Sequence, residues 1–214
     1  MGIDRITARR GIFLDRDGVI NRNILYPDTG RFESPRTIAD FHLVENAVEA
    51  MQRLQRAGYL LFLVSNQPNY ALGKSDLHTL QKIHLRLKLE LDAGKIAFSA
   101  FYYCLHHPRG IVPGYSGNCA CRKPSPASIL RAQREFHLDL ANSWMIGDRS
   151  TDTECGRAAG VGTIRIADEL TQQPVTDPNA GFIASGLAEA AMYLLAGMEP
   201  VMPQRAPSDR LHDR

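Results

Sequence analysis

The sequence has almost no excess charge: 25 lysines and arginines against 23 aspartates and glutamates leave +2. That balance excludes the long-range positive field of a nucleic-acid binder, and no basic or aromatic stripe replaces it. An anionic partner must therefore be held by local groups. No apolar run approaches the roughly 20 residues that cross a bilayer, so no membrane partner is expected. Met1-Gly2-Ile3-Asp4-Arg5 lacks the apolar core of a secretory signal, which makes the cytoplasm the expected location. There is no Gly-x-x-x-x-Gly-Lys-Ser/Thr loop to cradle a nucleotide. The four cysteines would stay reduced there, and three of them cluster beside a histidine, which points to metal rather than to disulfides.

At 214 residues the chain suffices for one α/β domain with a substantial core. Residues 1–10 read as a solvated N-terminal arm, 11–199 as the domain, and 200–214 as a mobile tail. Ile12-Phe13-Leu14 begins the strands, and Tyr59 to Val64 is a buried strand by length and content. Between them Val44, Ala47, Val48, Met51 and Leu54 share a helix face closed by Gly58. Leu77, Leu80, Ile83, Leu87 and Leu91 mark a second amphipathic helix capped by Ser75. A third strand covers Ala100 to Cys104, and Ser125-Pro126 caps and opens the next helix. Trp144-Met145-Ile146 is the fourth strand. A short helix from Ser150 to Gly160 follows, then strands at 163–166 and 182–183 and a helix over 186–196. Strands alternating with helices predict a Rossmann-like, doubly wound, mostly parallel sheet covered on both faces.

Acidic groups follow two of these strands directly: Asp15-Arg16-Asp17-Gly18 after the first and Gly147-Asp148 through Asp152 after the fourth. Ligands of an open parallel sheet sit beyond the carboxyl ends of its strands, so the two clusters converge on one crevice. Ser65-Asn66-Gln67 and Lys123 reach it from the second and third strands. Carboxylates gathered so closely resist joint ionisation unless a cation sits among them, and magnesium suits such a set.

These motifs, Asp15-Arg16-Asp17-Gly18-Val19-Ile20-Asn21, Ser65-Asn66-Gln67, Lys123 and Gly147-Asp148 to Asp152 in that order, resemble the haloacid dehalogenase superfamily of phosphatases. The resemblance implies Asp15 as nucleophile and Asp17 as general acid and base. It implies magnesium held by Asp15, the Asp17 backbone carbonyl and Asp148, with Asp152 in support. Ser65 and Lys123 would bind the transferring phosphoryl group. Attack by a carboxylate divides hydrolysis into two displacements, a division of labour that suits these residue types.

Cys104-Leu105-His106 and Cys119-Ala120-Cys121 form a second constellation. Three thiolates and an imidazole suit tetrahedral zinc with no open position, a structural site, and His107 could replace His106. Cys155 is left as a packed thiol. Arg122 and Lys123 follow Cys121, so clamping this loop fixes where both cations enter the crevice. The arrangement resembles a superfamily subgroup without a large cap domain, which includes D,D-heptose 1,7-bisphosphate phosphatases and histidinol-phosphate phosphatases. It implies a small phosphorylated metabolite as partner, a sugar bisphosphate before an amino alcohol phosphate, met by Asn66 and Arg122; a monomer is the expected state, though no residue pattern reveals it. Leu72 departs from the subgroup by standing where an arginine is usual. Beside Arg122, either Lys74 or an arginine of the 25–40 segment then supplies the cation for a second phosphate, or that phosphate is held weakly.

Overall fold

The computed structural model describes residues 9–167 and 175–197; residues 1–8 of the expected 1–10 arm and the tail at 200–214 lie outside them. Apolar runs build six strands of one sheet: β1 (Gly11–Leu14), β4 (Leu60–Asn66), β5 (Phe98–Cys104), β6 (Trp144–Gly147), β7 (Gly162–Ile166) and β8 (Phe182–Ala184). Between β1 and β4 the chain forms a small antiparallel hairpin, β2 (Ile24–Tyr26) and β3 (Arg31–Glu33). The large sheet has the order β5-β4-β1-β6-β7-β8, and every neighbouring pair in it is parallel. Strand direction of growth reverses between β1 and β6, which opens the crevice of a doubly wound sheet at their carboxyl ends.

Alternation along β1 explains the layers. Ile12 and Leu14 face a core shared with α1 (Ala47–Arg56), α2 (Leu77–Ala93) and α5 (Leu187–Leu195). Phe13 faces the opposite core, with α3 (Ala127–Phe136) and α4 (Ser150–Ala159). Both faces of β1 are buried, so its sequence is continuously apolar rather than alternating with polar residues. Among the described residues no helix is long and apolar enough to cross a membrane, and the only insertion between β1 and α1 with strands of its own is the β2–β3 hairpin.

Two helix starts differ from the sequence reading by one residue. Asp76, not Ser75, caps α2, its carboxylate accepting from the Thr79 N–H. Pro126 occupies the cap of α3, while Ser125 Oγ accepts from Ala127 N–H at 3.3 Å. The third strand also begins earlier, at Phe98, because its first residues pair with Leu61 and Phe62.

Candidate active site

Asp15 leaves β1 with its N–H donating to the Ile146 carbonyl at 3.0 Å, so the ends of β1 and β6 are tied together where both acidic motifs begin. Oxygens of Asp15, Asp148 and Asp152 lie within 4.8 Å of one another. Backbone close approach makes this possible. Gly18, at φ 78°, lies where a Cβ would overlap the Asp148 carboxylate, and a Cβ at Gly147 would overlap Asp152.

Lys123 Nζ joins this group, 2.9 Å from Asp15 Oδ1 and 2.6 Å from Asp152 Oδ1, and donates to the Val64 carbonyl at 2.7 Å. The Asp152 contact is an ion pair whose angle is poor for a hydrogen bond. Burial lowers the basicity of Lys123, but Asp15 and Asp152 outweigh it and hold the ammonium charged. Burial pushes the Asp15 carboxyl up, with Lys123 opposing and Asp152 and Asp17 adding to the rise. Asp148 is pushed up to about 7, first by burial and then by the charges of Asp15 and Asp152. Its Oδ2 accepts from Asn23 Nδ2 at 2.9 Å, whereas its buried Oδ1 has no hydrogen-bond partner among the described residues. Three crowded carboxylates, two of them with an oxygen that accepts no hydrogen bond among the described residues, fit a hard divalent cation.

Asp17 is arranged differently. Its carboxylate is turned from the Asp15, Asp148 and Asp152 group toward Arg16, whose Nε and NH2 donate to Oδ1 at 3.0 Å. Asn21 Nδ2 donates to the same oxygen at 3.0 Å and Gln67 Nε2 to Oδ2 at 2.6 Å. Burial raises the Asp17 carboxyl, yet Arg16, Gln67 and Asn21 together hold it below the usual range. Arg16 is itself only 1% exposed and also donates to Gln67 Oε1 at 2.7 Å.

A cavity of about 350 Å³ opens over these groups, walled by Asp15, Asp17, Asp152 and Lys123 and by Asn66, Arg122, Arg149 and Arg165. Ser34, just after β3, also lines it, so the 25–40 segment reaches the site. Ser65 is buried at the end of β4, its Oγ accepting from Gln67 Nε2 at 3.0 Å. Asn66 lines the cavity with its amide engaged: Oδ1 accepts from the Lys123 N–H and Nδ2 donates to the Lys123 carbonyl, both at 3.1 Å. It therefore sets the backbone that carries Lys123. Arg122 NH1 donates to the His106 carbonyl at 3.1 Å.

Behind Arg122 the sulfurs of Cys104, Cys119 and Cys121 stand 3.2 to 3.5 Å apart, too far for disulfides of about 2.05 Å. His106 Nδ1 lies 3.9 Å from Cys104 Sγ and 3.6 Å from Cys121 Sγ. Ligand bonds of about 2.3 Å would set tetrahedral sulfurs about 3.8 Å apart, so the cluster fits such a centre after slight expansion. His107 Nδ1 instead accepts from the Arg109 N–H, which leaves His106 as the fourth donor. Cys155 is fully buried and donates to the Ser125 carbonyl, away from the cluster.

Sequence reasoning missed Arg16, Asn21, Asn23, Gln67 and Arg165 as site residues. Arg16, Asn21 and Gln67 stood inside motifs already singled out, but as spacers. Arg165 carries no motif, and only its place near the carboxyl end of β7 could have marked it.

A doubly wound parallel sheet with carboxylates and a buried lysine at its switch point defines an enzyme that handles anionic groups. The sequence signature of HAD-hydrolase-like proteins matches residues 120–190. The D-glycero-beta-D-manno-heptose-1,7-bisphosphate 7-phosphatase of Vibrio cholerae is 35% identical over 191 residues, covering 88% of this chain and 97% of that one. The enzyme of the same name from Escherichia coli K12 is 31% identical over 192 residues, covering 88% and 95%. The crystal structure of D,D-heptose 1,7-bisphosphate phosphatase from B. bronchiseptica, complexed with magnesium and phosphate, superposes with a TM-score of 0.70 at 26% identity over 88% of this chain and 99% of that one. The chain belongs to the haloacid dehalogenase-like phosphatase family.

Proposed function

We propose that residues 11–199 form one magnesium-dependent phosphomonoesterase, a cytoplasmic monomer that removes one phosphate from D-glycero-D-manno-heptose 1,7-bisphosphate through an aspartyl-phosphate at Asp15. The observation that carries the chemistry is the meeting of Asp15, Asp148, Asp152 and Lys123 at the end of β1. Magnesium held by Asp15, the Asp17 carbonyl and Asp148 would neutralise charge on the phosphoryl oxygens. Asp15 attacks phosphorus as the bond to the sugar oxygen breaks, and Asp17 gives that oxygen a proton. Water then attacks the aspartyl-phosphate, giving its proton to Asp17. Ionised Asp17 bound to Arg16 is the form that accepts this proton, and donation requires it to turn from Arg16 into the cavity. Lys123 and Ser65 bind the phosphoryl group in both steps. Asp152 orients Lys123, and Asn66 and Arg122 face the sugar. Zinc at Cys104, His106, Cys119 and Cys121 would fix the loop that carries Arg122 and Lys123.

Charge in the cavity favours the bisphosphate over histidinol phosphate. A substrate ammonium needs an uncommitted carboxylate, and Asp15 and Asp152 are paired to Lys123 while Asp17 is paired to Arg16. The cations Arg122, Arg149 and Arg165 line the same cavity, and the names of the relatives agree with this ranking. Ranking kcat/KM over phosphorylated sugars and amino alcohols should put heptose 1,7-bisphosphate first. A preference for histidinol phosphate would overturn the substrate while leaving the phosphatase chemistry standing.

A further inference from the structure

If a second phosphate enters this cavity, some cation other than Lys123 must meet it. Of the cations expected from the sequence beside Arg122, Arg31 is exposed and does not line the cavity, and Lys74 and Arg36 are already engaged. Lys74 Nζ lies 2.6 and 2.7 Å from the Glu33 carboxylate oxygens, and Arg36 bridges Glu33 and Asp28 at 2.9 and 2.8 Å. Lys74 thereby ties the β2–β3 hairpin to the loop after β4, Arg36 braces the hairpin segment internally, and neither lines the cavity.

Arg165 is placed otherwise. In β7 the side chains alternate, Ile164 and Ile166 entering the core of α1 and α5 while Arg165 takes the opposite face. It pairs in register with Gly147, the residue before Asp148, so its side chain starts one strand away from the acidic motif. From there it reaches the cavity wall beside Ser150 and Thr151. Its Nε and NH1 are buried and have no hydrogen-bond partner among the described residues. A buried guanidinium with two idle donors is costly unless something accepts from them. Each can give one charge-assisted hydrogen bond to a phosphate oxygen, Nε–H from one edge of the guanidinium and NH1 from another.

We infer that Arg165 is a specificity-determining residue that binds the non-reacting anionic group of a bis-anionic substrate, in the cavity that Arg122 also lines. This rests on the phosphatase reading above but not on the heptose skeleton. Arg149, 55% exposed and 3.9 Å from Asp148, adds charge at the rim. Arg165 thus supplies the charge that Leu72 does not.

The test measures binding calorimetrically with magnesium in the Asp15→Asn background, where no turnover intervenes, using fructose 1,6-bisphosphate and fructose 6-phosphate as matched probes. Without further change the bisphosphate should bind more tightly. Arg165→Gln should weaken the bisphosphate about tenfold more than the monophosphate, the scale of one charge-assisted hydrogen bond, and Arg165→Lys should recover part of the difference. Equal weakening of both probes, or of neither, overturns the inference, as does a parent protein that does not distinguish them. A fall in melting temperature with unchanged probe selectivity would make Arg165 structural and would also overturn it. Failure of the heptose substrate leaves these comparisons intact, so the two readings fail separately.

Discussion

Asp15 and Asp17 are two residues apart and face different partners, a difference in keeping with the separate roles proposed for them. Asp15 meets Lys123 and the metal-competent carboxylates, whereas Asp17 meets Arg16, Asn21 and Gln67. Asp15→Asn should abolish turnover in a folded protein, because the amide is nearly isosteric but a poor nucleophile. Phosphate release from purified variant checks it, and substantial residual activity would remove Asp15 from the nucleophile's role. Asp17→Asn should cost roughly 10²- to 10⁴-fold in kcat, the usual contribution of a positioned acid or base. The identity of both aspartates was legible in the sequence because each stands at the end of a buried strand. The orientation of Asp17 was not, since a side-chain rotamer depends on Arg16 and Gln67, whose burial no local pattern announces. Arg16 between two aspartates reads as part of a solvated turn, yet it is among the most buried side chains of the molecule.

At the scale of elements, the loop from Cys104 to Cys121 and the hairpin β2–β3 contrast in how far they could be read. Paired Cys-x-His and Cys-x-Cys spacings carry their ligand chemistry openly, and the structure gathers those four residues. The hairpin strands have three residues each, partly exposed on both faces. Without alternation they look like an irregular insertion. Their anchoring is by charge, Glu33 to Lys74 and Arg36, and by Asn69 Nδ2 donating to the Ser34 and Pro35 carbonyls at 3.4 and 3.3 Å. If zinc holds the longer loop, chelation should lower the melting temperature and reduce affinity for phosphate, since Lys123 loses its mooring. Cys119→Ser should reproduce that change and Cys155→Ser should not. Protein purified without chelators and free of zinc by metal analysis would contradict this.

Across the whole molecule the carboxylate cluster couples metal, pH and stability. The folded chain retains the Asp148 proton up to about pH 7, whereas the ordinary value is 3.8. Folded protein therefore binds more protons than unfolded protein between these limits, and stability falls as pH rises through them. Raised Asp15 acts in the same direction. Metal-free protein should thus be less stable near pH 8 than near pH 5, by roughly 3 kcal/mol at most for Asp148, and should melt at a correspondingly lower temperature. Magnesium should remove the difference by stabilising the ionised carboxylates. Thermal unfolding at both pH values with and without magnesium checks it, and a metal-free protein that is more stable at the higher pH would contradict the cluster's electrostatics.

The strand order also governs how the chain can fold as it is made. β1 lies at the centre of the sheet, and its two neighbours are made at very different times. Ile12 pairs with Leu61 on one side and with Trp144 on the other. β1, β4 and β5 can therefore assemble while the chain is still growing, but the second edge of β1 stays open until β6 leaves the ribosome. Closing that edge joins residues 132 positions apart, as in the Gly11 N–H bond to Ser143 Oγ, a long loop whose closure is entropically slow. In that interval a strand buried on both faces in the finished sheet presents an unpaired row of amides and carbonyls. Asp15 sits at the end of that row, so the step that seals the sheet against association with other nascent chains is the same step that brings Asp148 to Asp15 and creates the active site.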